Sequence, residues 1–139
     1  MDLERFVRAQ DEHGTYTQAL AELRAGRKTS HWMWFVFPQV AGLGRSATAQ
    51  AYAIADLAEA QAYLAHPVLG PRLVECAEMV AEHRDKSAEQ IFGGIDAMKL
   101  RSSMTLFAAA DPDQPVFAGV LARFFPEADP ETLRRIQGR

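Results

Sequence analysis

Apolar positions along the chain recur at helical spacing in short blocks, each opened by a helix-capping residue and closed by Gly or Pro. Leu3, Phe6, Val7 and Gln10 fall at i, i+3, i+4 and i+7, giving an N-terminal helix a largely apolar face that His13-Gly14 ends. Thr15 with Gln18 has capping-box spacing, and Tyr16, Ala19, Leu20 and Leu23 form the stripe of a second helix that stops at Gly26. Ser46 opens a segment through Ala55, Asp56 with Glu59 opens another through Ala65, and His66-Pro67 breaks the pattern. The next helix places Leu69, Leu73, Cys76, Met79 and Val80 inward and Arg72, Glu75, Glu78, Glu82 and His83 outward. Ser87 with Gln90 repeats the capping-box spacing and Gly93-Gly94 breaks the chain. Asp96 is placed to cap a helix from Ala97 to Ala110, the second longest expected. Val116, Phe117, Val120, Leu121 and Phe124 make one more stripe, ended by Pro126, and Asp129-Pro130 starts a last short helix.

The block His31-Trp32-Met33-Trp34-Phe35-Val36-Phe37-Pro38 departs from this rhythm, being aromatic and β-branched enough to resemble a buried strand. No second strand of comparable quality exists to satisfy its backbone. A short buried helix capped by Ser30 is therefore the expectation. The fold expected is all-α, one domain over residues 1–139, built as an array of about seven to nine short helices around the 31–37 segment and the 97–110 helix.

Charge then narrows the partners. Fifteen Lys and Arg against 18 Asp and Glu leave a net charge of -3, so the clustered positive excess of a non-specific nucleic-acid or anionic-membrane binder is missing. Cys76 is the single cysteine, which excludes an intrachain disulfide and a multi-thiolate metal site and fits a reducing, cytoplasmic setting. The opening Met1-Asp2-Leu3-Glu4-Arg5 lacks the apolar stretch of a signal peptide, and no run approaches the roughly 20 residues of a membrane span. The histidines show no His-x-x-x-His or His-x-x-Glu spacing, so no metal or other cofactor is expected. Cys76 lies on an apolar stripe and reads as an inert core thiol.

Two stretches carry more polar chemistry than packing needs. The first runs from Lys28 through Ser30, His31, Trp32, Trp34 and Gln39 to Arg45 and Ser46. Cations and hydroxyls at helix starts suit a phosphate or carboxylate, and one tryptophan can wall a pocket. Trp32 and Trp34, two positions apart, point to nearly opposite sides of a helix, and the aromatics as a group also suit the core. Gly42-x-Gly44 matches neither a dinucleotide fingerprint nor a P-loop. The second stretch is Asp96 to Phe107, where Lys99, Ser102 and Ser103 flank the apolar arc of Leu100, Met104 and Phe107 while Arg101 points away. Lys99 can meet an anionic ligand or pair with Asp96 three residues earlier. Ser102 and Ser103 can hydrogen-bond the preceding turn.

Taken together, Ser30 to Gln39, Gly42-Leu43-Gly44-Arg45-Ser46, His66 to Leu73 and Lys99 to Phe107 resemble one bacterial domain-of-unknown-function family, from the Asp2-Leu3-Glu4-Arg5-Phe6 opening to about Phe125. Its members are often labelled "calpastatin", a label at odds with a compact apolar-rich chain because that inhibitor is long and disordered. The resemblance implies a multi-helical array and no established activity or catalytic residue.

These observations lead to one expectation and one alternative. The expectation is a pocket for a small anionic ligand, a nucleotide or sugar phosphate, formed by Lys28, His31, Arg45, Lys99 and Ser102 and walled by Trp32 or Trp34. His31 is its candidate for proton transfer and Lys99 for stabilising negative charge. The alternative is a non-enzymatic module that binds a protein partner or its own copy through a groove or apolar face.

Overall fold

In the computed structural model, which describes residues 1–137, the chain is all-α: α1 (Glu4–Asp11), a 3-10 turn (Glu12–Gly14), α2 (Thr15–Ala25), α3 (Met33–Val36), α4 (Ala47–Ala51), α5 (Leu57–Ala65), α6 (Leu69–Ala81), α7 (Ala88–Phe92), α8 (Gly94–Ala110), α9 (Pro115–Phe124) and α10 (Pro130–Ile136). Residues 138 and 139, included in the expected domain, lie outside the described residues. No strand forms among the described residues; Val40 and Ile54 meet only in an isolated parallel bridge.

Helix α8 is the axis of the array. With 17 residues it is the longest helix, not the second longest, and α5, α7, α9 and α10 all pack on it. Ala97, Leu100, Ser103, Met104, Leu106 and Phe107 are all fully buried, so its middle is enclosed on every side, the pattern of a central helix rather than of an amphipathic surface one. Small side chains at Ser102, Ser103 and Thr105 let neighbours approach closely. Thr105 donates to Arg101 O at 2.8 Å, and Ser102 donates to Asp129 at the start of α10 at 2.8 Å. Against the upward push of burial, the Thr132 and Ser102 hydroxyls hold the Asp129 carboxyl below its usual range.

Several caps follow the expected chemistry. Ser46 accepts from Ala49 N–H, Asp56 from Glu59 N–H, and Ser87 with Gln90 completes a capping box. His66 Nδ1 accepts from Val68 and Leu69 N–H beyond Pro67. Other expectations are corrected by local geometry. The helix opened by Ser46 stops at Ala51 rather than Ala55. Thr15 does not cap α2: Gly14, with φ 66°, takes that position, and Thr15 donates back to Glu12 O. Asp96 does not cap α8, which starts two residues earlier at Gly94. Asp96 sits instead in the first turn, where its charge faces the partial positive end of the helix. Ser30 does not cap α3: Trp32 holds that position, and the Ser30 hydroxyl donates to Glu22 instead.

One buried group in α8 has no partner. Ser103 Oγ is fully enclosed and makes no hydrogen bond among the described residues. Ser103→Ala removes a desolvated hydroxyl and raises helix propensity, so it should stabilise the fold by about 0.5–1 kcal/mol. A higher urea midpoint at unchanged slope checks this; a lower midpoint refutes it.

Candidate functional site

The site begins with a buried carboxylate. Glu22, in the last turn of α2, is 5% exposed and accepts five hydrogen bonds. Its donors are the backbone N–H groups of Thr29 (2.7 Å) and Ser30 (3.0 Å), the Ser30 hydroxyl (2.5 Å), the Gln18 amide (2.8 Å) and the Trp32 indole (2.9 Å). Burial pushes this carboxyl up, but the donors outweigh it and hold the group well below the ordinary carboxylate range. Gly26, with φ 74°, reverses the chain after α2 so that residues 28–32 fold back over Glu22.

That reversal carries Lys28 to the start of α8. Its backbone N–H donates to Ile91 O at 2.7 Å, and its ammonium reaches Asp96 at 2.8 Å and Ser30 O at 2.6 Å while lying 5.0 Å from the Trp32 ring centre. Lys99 meets the other Asp96 oxygen at 3.5 Å, as its i,i+3 spacing allows, and lies 5.0 Å from the Trp34 ring centre. One carboxylate thus bridges two ammonium groups, leaving one net positive charge.

Around this triad opens a cleft of about 390 Å³, with Lys28, His31, Trp34, Asp96 and Lys99 on its wall. Met33, Phe92 and the exposed Ile95 supply apolar surface, and Gly93-Gly94 leave the backbone open. A Cβ on either glycine would meet nothing within 4 Å. A second cleft of about 210 Å³ shares His31 and is lined by His13, Thr15, Gln18, Ser30 and Trp32.

Of the residues singled out in the sequence, Lys28, His31, Trp34 and Lys99 therefore share one cleft, and Ser30 and Trp32 line its neighbour. Trp32 is buried, with its indole N–H committed to Glu22, so Trp34 is the tryptophan on the cationic cleft. The others lie elsewhere. Arg45 and Ser46 are exposed, with Ser46 spent on capping α4; Gln39 accepts from Ile54 N–H through its backbone carbonyl. Ser102 faces α10, and Ser103 is interior. Cys76 is enclosed, and burial pushes its thiol up to about 12, which removes it as a nucleophile at neutral pH. No group of three or more metal-ligating side chains occurs among the described residues. No described helix is long and apolar enough to cross a membrane.

Comparison with known proteins places this architecture. The family model described as "Protein of unknown function (DUF1810)" matches residues 1–136. The chain belongs to that family. It is also similar, at 50% identity and a TM-score of 0.94, to the crystal structure of the conserved hypothetical protein Rv1873 from Mycobacterium tuberculosis, over 98% of this chain and 96% of that one. None of the curated proteins matches the chain.

Sequence reasoning missed Glu22, Gln18 and the glycine pair. Glu22 carries no mark that separates it from an exposed helical glutamate, since its donors come from a later loop. Gly93-Gly94 was legible as a chain break, and the open backbone that two adjacent glycines give a helix start was the unused signal.

Two predictions follow from the charges. Glu22 is stabilising above its ordinary value of 4.5 and loses that contribution as pH falls below it toward the depressed folded value. Glu22→Gln should therefore lower stability at pH 7 by about 2–4 kcal/mol and flatten the acid limb of a stability–pH curve below about 4.5. An unchanged acid limb would show that Glu22 is not its source. Lys28, with only 6% of its side chain exposed, is a structural ion. Lys28→Ala should destabilise by about 2–3 kcal/mol, less than a fully buried pair because Asp96 keeps Lys99; urea titration reads the difference.

Proposed function

We propose that the cleft at the start of α8 binds a small anionic ligand of the nucleotide or sugar-phosphate class. The observation that carries this reading is the convergence of Lys28 and Lys99, from segments about 70 residues apart, on one open cleft beside Trp34 and His31. Phosphate is favoured by two ammonium donors and by the first-turn N–H groups of a 17-residue helix, which have no acceptor inside the helix. The cleft volume lies at the lower end of ligand pockets, roughly 300–1,000 Å³, which suits a mononucleotide or sugar phosphate rather than a dinucleotide. His31 and Lys99 are its groups able to move a proton and to stabilise developing negative charge. A cytoplasmic setting, expected from the cysteine content, accords with such a ligand.

A specific observation also favours a second reading, a protein-interaction face. Ile95 and Met98, neighbours on the first turns of α8, are 79% and 51% exposed beside the cleft.

The experiment is a thermal-shift screen against nucleotides, sugar phosphates and small carboxylates, using wild type, Lys99→Ala and Gly94→Leu. Lys99 and Gly94 serve because Lys28 holds the fold, whereas a side chain at Gly94 projects into open space. A ligand at about 100 times its Kd should add roughly 2.7 kcal/mol, a shift of several degrees, and both variants should lose it. A null across the panel with folded protein would sink the ligand reading. Self-association or partner capture abolished by Met98→Ser would then support the interaction face.

A further inference from the structure

His31 separates two clefts of different chemistry, and the Glu22 network decides what the smaller one offers. Around it, the Ser30 hydroxyl and the Gln18 amide N–H both donate to Glu22, and the Thr15 hydroxyl donates to Glu12 O. The two hydroxyl donors are thus engaged, while the Gln18 amide keeps a second N–H. What remains for an occupant is mixed: acceptors in the Gln18 amide oxygen and the lone pairs of the two hydroxyls, and donors in the second Gln18 N–H and the imidazoles of His13 and His31. No Lys, Arg, Asp or Glu lines this cleft, and its hydroxyl, amide and imidazole groups both donate and accept, which suits alcohols. The larger cleft offers cations instead, and Lys99 already covers one face of Trp34, where a flat base would have to displace it.

We propose that the two clefts are subsites for one ligand, a hydroxyl-bearing phosphate ester of the sugar-phosphate type. The phosphate meets Lys28 and Lys99 alongside the Asp96 carboxylate that bridges them, the sugar hydroxyls bond to Thr15, Gln18 and Ser30, and His31 stands at the junction. The proposal rests on the anion-binding reading of the larger cleft and goes further by choosing the sugar phosphate over the nucleotide and assigning the organic part to the smaller cleft. A bare anion would leave the polar groups of the smaller cleft unused.

Calorimetric titration of the full chain with inorganic phosphate, ribose 5-phosphate, ribose and AMP tests it, in wild type, Lys99→Ala, Thr15→Val and Gln18→Leu. Thr15 gives up only a contact to an exposed turn carbonyl, so Thr15→Val keeps the test sound if Gln18→Leu disturbs Glu22. Ribose 5-phosphate should bind roughly tenfold or more tightly than inorganic phosphate, as one or two net hydrogen bonds provide. Thr15→Val and Gln18→Leu should bring it to the inorganic phosphate level while leaving inorganic phosphate unchanged, and Lys99→Ala should weaken both. Equal affinity for ribose 5-phosphate and inorganic phosphate, with Lys99→Ala weakening each, would overturn the two-subsite proposal and leave the anion site standing. AMP binding that exceeds ribose 5-phosphate and ignores Thr15→Val and Gln18→Leu would also overturn it, by seating the organic part in the larger cleft. No binding by any phosphate would overturn both readings.

Discussion

A carboxylate buried at the end of a helix must be surrounded by donors, and the way Glu22 meets that demand shapes everything near the cleft. Leaving such a charge unpaired would be strongly unfavourable, so the segment after α2 wraps until two backbone N–H groups, a hydroxyl, an amide and an indole point at one carboxylate. The wrap fixes Trp32 in the core, turns Trp34 outward, and sets Lys28 where its N–H meets Ile91 and its ammonium meets Asp96. Gly26 permits the reversal, and His83 and Lys86 hold its carbonyls: His83 Nε2 lies 2.6 Å from Leu23 O and Lys86 donates to Gly26 O. Sequence-distant segments thus meet because one carboxylate cannot be left unsatisfied.

Helix α8 supplies the other half. Its middle is enclosed by α5, α9 and α10, so polar function can be displayed only at an end, and its C-terminal end runs directly into the turn that starts α9. The N-terminal end, opened by Gly93-Gly94, is where Asp96 and Lys99 emerge from the packed region. Packing and chemistry therefore divide along the length of one helix rather than between its faces.

This division explains what was legible in the sequence. Helices with an apolar stripe and a capping residue, such as α6 and α7, could be read because the signal is local: Leu69, Leu73, Cys76 and Val80 are buried as their spacing requires, and Ser87 pairs with Gln90. The Lys99–Asp96 pair was readable for the same reason. The meeting of Lys28 with Asp96 and the donor set of Glu22 were not, since both depend on chain reversal. Ser30 is the instructive failure. A serine ahead of an apolar block has the signature of a cap, whose hydroxyl oxygen accepts a backbone N–H, yet this hydroxyl is turned to donate to a charged carboxylate on another helix. Arg45 and Ser102 failed as site candidates differently: residue type marked them, while position put one in solvent and the other against α10.

The two lysines of the cleft are not equivalent, and the difference constrains how an anion would be held. Lys28 is almost wholly enclosed and fixed by Asp96, Ser30 O and the Trp32 ring, so its charge is preorganised. Lys99 makes a longer contact to the same carboxylate and is more exposed, so it is the one free to swing toward an occupant. Asp96 allows the two ammonium groups to sit together without a ligand, and the same carboxylate repels an anion that enters. Charge alone would therefore give a proposed anion only modest affinity, and selectivity would have to come from contacts outside the triad. Beside His31, the smaller cleft supplies hydroxyl and amide groups that carry no charge and would suffer no such repulsion. In the two-subsite proposal, binding strength and ligand choice would fall to different clefts, with His31 on the wall of both.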